Sequence, residues 1–418
     1  MLGFPRKKPP GSSSLYDETR ADVGTRAERN EKMSSISERE KIHKLFKSFE
    51  RGKFSARNRF VRAATWLGCC SHETGELTQA AVSRTAEAAA GGAGTVISEF
   101  AYVSREGRAA TRQWGLDCDR GIDEVRRLAE AVHAHGSELI VQICHAGGAL
   151  ETAFAEKRGL SPSGLPLPGC GVESAAMTAE DMERVRGEFA AAALRAREGG
   201  ADGVEIHGAH GFLLTQFLSP LFNKRTDEYG GSAENRVRFT REVCSAVRGA
   251  VGEDFSLWIK ISATEGVEGG YGWDDGKLAA LAAIEGGADG VEISSGTSYS
   301  GAVHAPSMVG VSAGESEAPF APYARELRRL TPEDVLVILT GGLRSLPVIG
   351  GLLDDGCADM FGISRPFIAE PDLVNRWAED DARPSACVSC NACLKTAARG
   401  QVNCPIMRDR EEGEWAPL

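Results

Sequence analysis

The chain has 418 residues and carries 48 Lys and Arg against 59 Asp and Glu, for a formal net charge of −11. This acidic balance excludes a basic nucleic-acid-binding protein, and no apolar run is long enough to cross a bilayer. The 11 cysteines are scattered and follow no secretory signal, which favours reduced thiols in a reducing, cytoplasmic compartment.

The first forty residues predict a disordered tail. They are polar, with Arg, Lys, Pro and Ser mixed with acids, and those acids argue against an organellar transit peptide. From Ile42 onward the composition becomes that of a folded domain. We therefore expect a tail over 1–40, a main domain over 41–382 and a cysteine-containing extension over 383–418.

Eight short apolar runs rich in β-branched residues alternate with stretches of helical periodicity, such as Asp123 to His135, Ala179 to Glu198 and Asn235 to Val251. This alternation predicts a single (β/α)8 TIM barrel. A doubly wound sheet would share the alternation, but no Gly-x-Gly-x-x-Gly follows an early strand. The predicted strands are Phe60 to Ala63, Thr95 to Glu99, Leu139 to Ile143, Gly203 to Ile206, Ser256 to Ile261, Gly290 to Ile293, Val335 to Leu339 and Asp359 to Ile363.

The polar residues that follow these strands are candidates for chemistry, because barrel active sites lie at the carboxyl ends of the strands. His207 and His210 follow the fourth strand and suit a developing oxyanion, a metal ion or a structural role. Lys260 at the end of the fifth strand either points inward toward an anion or reaches solvent.

Two glycines and an arginine predict a phosphate site. Gly341 and Gly342 follow the seventh strand, and Ser364 and Arg365 follow the eighth, where such barrels commonly bind phosphate through backbone N–H groups. The alternative is that the glycines only form a tight turn and that Arg365 pairs with an acid.

Three segments closely resemble the old yellow enzyme family of FMN-dependent NAD(P)H:flavin oxidoreductases. They are Asn58 to Trp66, Val141 to Gly148 and, above all, Glu205 to Ser232, which has the sequence EIHGAHGFLLTQFLSPLFNKRTDEYGGS. The resemblance extends over roughly Ile42 to Cys393. It implies a single (β/α)8 barrel with FMN at the strand ends, reduced by NAD(P)H.

The resemblance also implies roles for individual residues. Gln142 and Lys260 correspond to contacts of the flavin ring, and Ala63, Ala64 and Thr65 to backbone contacts. His207 and His210 correspond to the pair that hydrogen-bonds a substrate carbonyl oxygen. The phosphate site corresponds to Gly341, Gly342, Ser364 and Arg365.

Phe212 departs from the family pattern. The family often has a tyrosine there that delivers a proton to the substrate's α-carbon, and phenylalanine has no proton to donate. Either water or another acid such as Tyr102, Tyr299 or Tyr323 then takes this role, or the reaction is not simple enone reduction. The loops Gly159 to Gly171 and Ser298 to Pro319 are expected to shape the substrate pocket.

Four cysteines near the C-terminus have metal-site spacing. Cys387, Cys390, Cys393 and Cys404 form C-x2-C-x2-C-x10-C. The segment resembles that of larger relatives of the dienoyl-CoA reductase type, in which a [4Fe-4S] cluster relays electrons between the flavin and further domains. A cluster, a zinc ion and a metal-free segment are all open; we expect no metal, because the chain ends fourteen residues after Cys404.

The leading hypothesis is an FMN-dependent enzyme that takes hydride from NAD(P)H and reduces a small α,β-unsaturated carbonyl compound. The first alternative is a dienoyl-CoA reductase-like enzyme that uses a [4Fe-4S] cluster. The second is a flavin-binding barrel with impaired turnover that serves as a sensor or interaction protein. Neither nucleic acid nor a membrane is expected as a partner, and a homo-oligomer is left open.

Overall fold

The structure is a computed structural model that describes residues 39–151, 159–170, 172–314, 316–400 and 402–411. The predicted tail lies outside these residues except for 39 and 40, which begin a helix over 39–46.

Eight parallel strands form a closed barrel, as the sequence predicted. Their pairing order is β2-β1-β8-β7-β6-β5-β4-β3, and β2 also pairs with β3, which closes the ring. Each strand agrees with its predicted run to within two residues. The strands are β1 (Phe60–Arg62), β2 (Thr95–Ile97), β3 (Glu138–Cys144), β4 (Gly203–Gly208), β5 (Ser256–Ser262), β6 (Gly290–Ser294), β7 (Leu336–Thr340) and β8 (Met360–Ile363).

Helices surround the barrel because each presents one apolar face to the outside of the sheet. The predicted helix Asn235–Val251 is divided at Val237. None of the helices in the described part of the chain is long and apolar enough to cross a membrane. The described helices of nine or more residues are Gln79–Ala90, Arg120–His133, Ala179–Glu198, Arg238–Val251, Trp273–Glu285, Ala321–Leu330 and Leu346–Asp354, and the six-residue helix Leu373–Ala378 follows β8.

Shorter elements complete the described fold. The short helices are Arg105–Gly107 (3-10), Leu213–Leu218, Ala233–Arg236, Gly301–His304, Arg365–Ala369, Ala392–Ala398 and Pro405–Glu411. A hairpin of Phe49–Arg51 and Phe54–Ala56 precedes β1, Ala101–Tyr102 pairs with β3, and Gly159–Ser161 pairs with Ser174–Ala176.

The barrel interior changes from apolar to polar along the strands. Its amino-terminal end is filled by one cluster that includes Ile140, Trp258 and Ile338, and the hairpin closes this end, with Phe54 packing edge-on against Trp258 at 4.8 Å. Two residues further along the same strands come Gln142 and Lys260, which are also buried. Because side chains alternate along a strand, the polar layer lies directly above the apolar one. The fold therefore places polar groups beneath the carboxyl-terminal mouth.

Candidate active site

A cavity of about 470 Å³ opens at the carboxyl ends of the barrel strands. This volume lies within the range typical of small-molecule sites. The structure brings every candidate site residue of the sequence analysis into its wall: Ala63, Ala64, Thr65, Gln142, His207, His210, Lys260, Gly341, Gly342, Ser364 and Arg365.

At the end of the cavity where the sequence predicts a phosphate site, a glycine turn meets basic side chains. Gly341 and Gly342 adopt φ values of 123° and 73°, which turn the backbone after β7 in a way that side chains rarely allow. Arg365 donates from Nη1 to Asn391 Oδ1 at 2.6 Å and to a backbone carbonyl. The predicted alternative, that Arg365 pairs with an acid, is therefore wrong for the described residues, where no carboxylate forms an ion pair with it.

Arg344, which was not predicted from the sequence, is a second guanidinium at this end. It lines the cavity, is 3% exposed and donates to Ser389 Oγ at 2.5 Å. Burial and the nearby Arg365 lower the pKa of Arg344, and the opposing effects of Cys387 and Glu317 do not offset them. It forms no ion pair within the described ranges. Two arginines without a carboxylate partner indicate that an anionic ligand supplies the missing charge.

A hydrogen bond links the wall segment Ala63 to Thr65, which follows β1, to Ser364, which follows β8. The Thr65 hydroxyl lies 2.8 Å from Ser364 Oγ and donates to the carbonyl of Ala63 at 2.8 Å. Because β1 pairs with β8, these two strand ends are neighbours. The bond holds the backbone after β1 against the end of the cavity that Ser364 lines.

A polar layer forms the floor. Gln142 Nε2 donates to Glu205 Oε2 at 2.6 Å, and Lys260 Nζ lies 2.8 Å from Glu292 Oε1. Lys260 therefore points inward, as one of the two sequence alternatives had it, and its counter-ion is Glu292. Glu205 and Glu292, which were not predicted as site residues, occupy the same position in a near-repeated segment, GADGVEI. An acidic residue within an apolar strand is the sequence feature that could have identified them.

The two histidines lie together, with ring centroids 5.0 Å apart and planes at 87°. His210 adopts φ 65°, a strained conformation for a non-glycine residue of the kind found at functional sites. Burial, with the nearby Lys260 charge, lowers the pKa of His207 well below its usual value. Burial and the neighbouring His207 do the same to His210. Both rings are therefore neutral at physiological pH.

Hydrogen bonds to the histidine rings leave N–H donors for a ligand. The Nδ1 atom of His207 accepts from the backbone N–H of Ala209 at 3.3 Å, so the ring proton lies on Nε2. The Nε2 atom of His210 lies 2.8 Å from Ser294 Oγ. When this hydroxyl donates to His210, the ring proton lies on Nδ1. Two neutral imidazoles can then donate to one oxygen.

Aromatic side chains form the apolar part of the wall, and Phe100 was another member that sequence reasoning missed. Phe100 and Phe212 lie 5.6 Å apart between centroids, and Trp66 also lines the cavity. From the loops expected to shape the pocket, Ser298 and three residues over 305–307 contribute, whereas none of the described residues over 159–170 does.

The three tyrosines considered as replacements for a donor at position 212 do not line the cavity. Tyr299 donates to Glu265 Oε1 at 3.0 Å, and Tyr102 donates to the carbonyl of Thr74 at 3.2 Å. Tyr323 packs against Trp273. This part of the prediction is wrong because each ring is engaged elsewhere in the fold.

The C-terminal extension packs against the mouth of the barrel. Cys393, Leu394 and Val402 line the cavity. A smaller adjoining pocket is lined by all four clustered cysteines together with Arg365. Burial and the neighbouring Cys387 raise the pKa of Cys393 to about 11. The extension therefore belongs to the site.

A metal ion held by His207 and His210, one of the alternatives for this pair, finds no third ligand in the described part of the chain. There, the one group of three ligand atoms within 4.8 Å of one another is Glu106, His145 and Glu188, which lies outside the cavity. Arg184 already contacts both of those carboxylates.

Comparisons with known proteins agree with this geometry. The sequence profile described as the NADH:flavin oxidoreductase / NADH oxidase family matches residues 44–383. An NADH oxidase of Thermoanaerobacter brockii is 33% identical over 353 residues, which cover 83% of this chain and 52% of the oxidase. An NADPH dehydrogenase of Bacillus subtilis is 32% identical over 336 residues, which cover 80% of this chain and 94% of the dehydrogenase.

A solved structure of 2-naphthoyl-CoA reductase in complex with 2-naphthoyl-CoA superposes with a TM-score of 0.79 and 25% identity, covering 90% of this chain and 58% of the reductase. The chain thus spans little more than half the length of this reductase and of the T. brockii oxidase. The family match covers most of the barrel and includes every candidate site residue. The chain therefore belongs to the FMN-dependent NADH:flavin oxidoreductase family, the old yellow enzyme family that its sequence resembles.

Proposed function

We propose that the protein takes hydride from NAD(P)H through FMN and reduces an electron-poor C=C bond conjugated to a carbonyl group. The observation that carries the proposal is the convergence of two neutral histidines, a buried lysine and an anion-binding end in one cavity. The neutral rings supply hydrogen-bond donors, and the other groups suit a phosphorylated cofactor.

The residues present fit FMN. The guanidinium groups of Arg344 and Arg365 have no carboxylate partner among the described residues, and they lie beside the backbone turn at Gly341 and Gly342, which suits a phosphate. Gln142 and Lys260 on the cavity floor suit the polar edge of the flavin ring. When bound there, FMN supplies an acceptor and donor of hydride.

His207 and His210 hold the carbonyl oxygen of the substrate. As hydride reaches the β-carbon, the electron pair of the C=C bond moves toward that oxygen, which becomes negative. Two preorganised N–H donors stabilise this charge more than they stabilise the neutral carbonyl and therefore lower the barrier.

The α-carbon must then receive a proton to complete the reduction. Phe212 has none to donate, and no tyrosine of the described chain lines the cavity. We infer that water delivers this proton in the protein.

The first test is the visible spectrum of the purified holoenzyme under anaerobic conditions. Flavin bands that bleach with NADH or NADPH and recover on addition of an enone support the proposal, and a protein that stays colourless after incubation with FMN overturns it. Replacing both His207 and His210 by Ala should leave FMN bound but slow the enone step by about 100-fold or more. His133→Ala, at an exposed histidine, is the control, and an unchanged rate in the double variant removes the proposed role.

The cysteine pocket favours a second candidate function, a dienoyl-CoA reductase-like enzyme with a [4Fe-4S] cluster. Four thiols share one pocket beside the flavin cavity. In the described structure no three of these sulfur atoms lie within 4.8 Å of one another, whereas Zn–S bonds of about 2.3 Å around one zinc ion would require it. This spacing argues against zinc and not against a cluster, in which each cysteine binds a different iron. Anaerobic purification followed by iron and sulfide analysis tests this. About four irons per chain, lost in Cys390→Ser but retained in Cys244→Ser, would support the cluster.

A further inference from the structure

Two carboxyl groups lie next to each other in the barrel interior beneath the cavity. Glu205 on β4 and Glu292 on β6 are both 0% exposed, and Lys260 reaches the same layer from the intervening strand β5. Two ionised carboxylates in contact would repel each other, and a single ammonium leaves one of them without a counter-charge. Two carboxylates and one ammonium would leave this buried layer with one uncompensated negative charge. The layer becomes neutral when one of the two carboxyl groups is protonated.

The hydrogen bonds show where this proton belongs. Glu205 Oε2 accepts from Gln142, and Glu292 Oε1 accepts from Lys260. The remaining oxygens, Oε1 of Glu205 and Oε2 of Glu292, are buried and receive no donor from the described residues. The two side chains are in contact with each other. One proton between these oxygens satisfies both.

We propose that Glu205 and Glu292 share one proton, that it resides on Glu205, and that Glu205 is a positioning residue for Gln142. Glu292 keeps the negative charge because it is the partner of Lys260. Burial and the adjacent Glu292 raise the pKa of Glu205 well above its usual value. Burial acts in the same sense on Glu292, but the Lys260 ammonium and the hydrogen bonds that Glu292 accepts together outweigh it and lower the pKa of Glu292. Gln142, Lys260 and Thr340 face the pair from β3, β5 and β7.

The shared proton fixes the amide of Gln142. A carboxylic acid has one donor and one acceptor end, and the donor end of Glu205 is directed to Glu292. Its acceptor end therefore receives the NH2 group of Gln142, which leaves the carbonyl end of that amide for the cavity. The layer as a whole is neutral, so it does not oppose negative charge that develops in the cavity above Lys260.

The infrared spectrum tests the proton directly. A protonated carboxylic acid has a C=O stretching band that a carboxylate lacks, and the holoenzyme should show it even at about pH 9. Glu99 and Glu138, whose pKa values are about 7, are ionised there. We expect Glu205→Gln to remove the band. Glu292→Gln should remove it as well, because Lys260 then pairs with an ionised Glu205, whereas Glu99→Gln should leave it.

The spectral test does not depend on the proposed function. The bands of bound FMN are common to the wild type and the variants and therefore cancel in their difference spectra. A wild-type spectrum that lacks the band at this pH once the bands of FMN are subtracted overturns the shared proton, even if no variant folds. A band that survives Glu205→Gln assigns the proton to another residue. A band that survives Glu292→Gln shows that burial alone protonates Glu205, without sharing.

FMN affinity tests the positioning role, and this part rests on the proposed function. Glutamine at position 205 can repeat both hydrogen bonds of the acid, so Glu205→Gln should change the dissociation constant by less than about threefold. Glu205→Leu leaves the Gln142 amide without its partner and should weaken binding by about tenfold or more. Equal affinity in the two variants would exclude the positioning role. Loss of FMN binding already in the wild type would instead contradict the proposed function.

Discussion

The ring of Phe212 packs edge-on against the ring of His207, with their centroids 4.8 Å apart. An aromatic hydrocarbon therefore lies beside one of the two groups proposed to hold the substrate oxygen. This contact gives the cavity an apolar wall at the position where the family often has a proton donor. It also makes residue 212 the place where the missing donor can be restored with the smallest change.

Phe212→Tyr should accelerate the reduction of enones. A hydroxyl on this ring lies near the histidine pair, and positioned general acids typically contribute about 10²- to 10⁴-fold. We expect at least about a tenfold rise in the single-turnover rate of flavin reoxidation by an enone. Phe100→Tyr is the matched control, since it adds a hydroxyl elsewhere on the same wall. Equal rates in the wild type and Phe212→Tyr would mean that proton delivery does not limit the step.

The rate of substrate reduction should be flat between about pH 6 and pH 8. Burial lowers the pKa of His207 and of His210 well below the ordinary value, so neither ring gains a proton in this range as the pH falls. Stopped-flow measurement of the enone step across this range checks the prediction. An acidic inflection near 6.5 that disappears in His210→Gln would show that one ring is charged during turnover.

Arg344→Ala should weaken FMN binding by about 10- to 100-fold, the loss expected for one charge-assisted hydrogen bond. The guanidinium is buried at the anion end and has no carboxylate partner in the described structure. Fluorescence titration of the apoprotein with FMN measures the loss. Arg84→Ala, whose side chain is exposed and paired with Glu87, is the control. Affinity within twofold of the wild type would place the phosphate elsewhere.

The barrel and most of the candidate site were predictable because they depend on local patterns. Strands buried on both faces appear as continuous apolar runs, and barrel sites lie at strand ends, so His207 and Lys260 could be placed before the structure was known. Glu205 and Glu292 carried a signal too, as acids within such runs.

Arg344 and Phe100 could not be selected in the same way. Arg344 follows a turn three residues after Gly341, and nothing local distinguishes it from a surface arginine. Phe100 is part of the wall through its packing against Phe212 and His207, both more than one hundred residues later. The place of Cys393 depends on how the extension folds back onto the barrel. These are tertiary contacts, which no local periodicity records.

Glu99 shows the opposite case, since it is an acid at the end of the second predicted strand, yet the structure places it outside the cavity. Glu99 is 2% exposed, and its carboxyl group accepts hydrogen bonds from Cys70 Sγ at 3.1 Å and from the backbone N–H of Leu67 at 3.3 Å. Burial outweighs these bonds and the nearby Arg62, and raises the pKa of Glu99 to about 7.

Glu99→Gln should therefore stabilise the protein at neutral pH and not in acid. As pH rises through 4.5, Glu99 ionises in the unfolded chain, while the native protein keeps its proton until about 7. The native state is progressively penalised over this window, by about 3 kcal/mol at its upper end. Urea unfolding at about pH 4.5 and pH 8 should show a gain for Glu99→Gln only at the higher pH. Glu285→Gln, at an exposed glutamate, should show none. An equal gain at both pH values would mean that packing, not ionisation, separates the variant from the wild type.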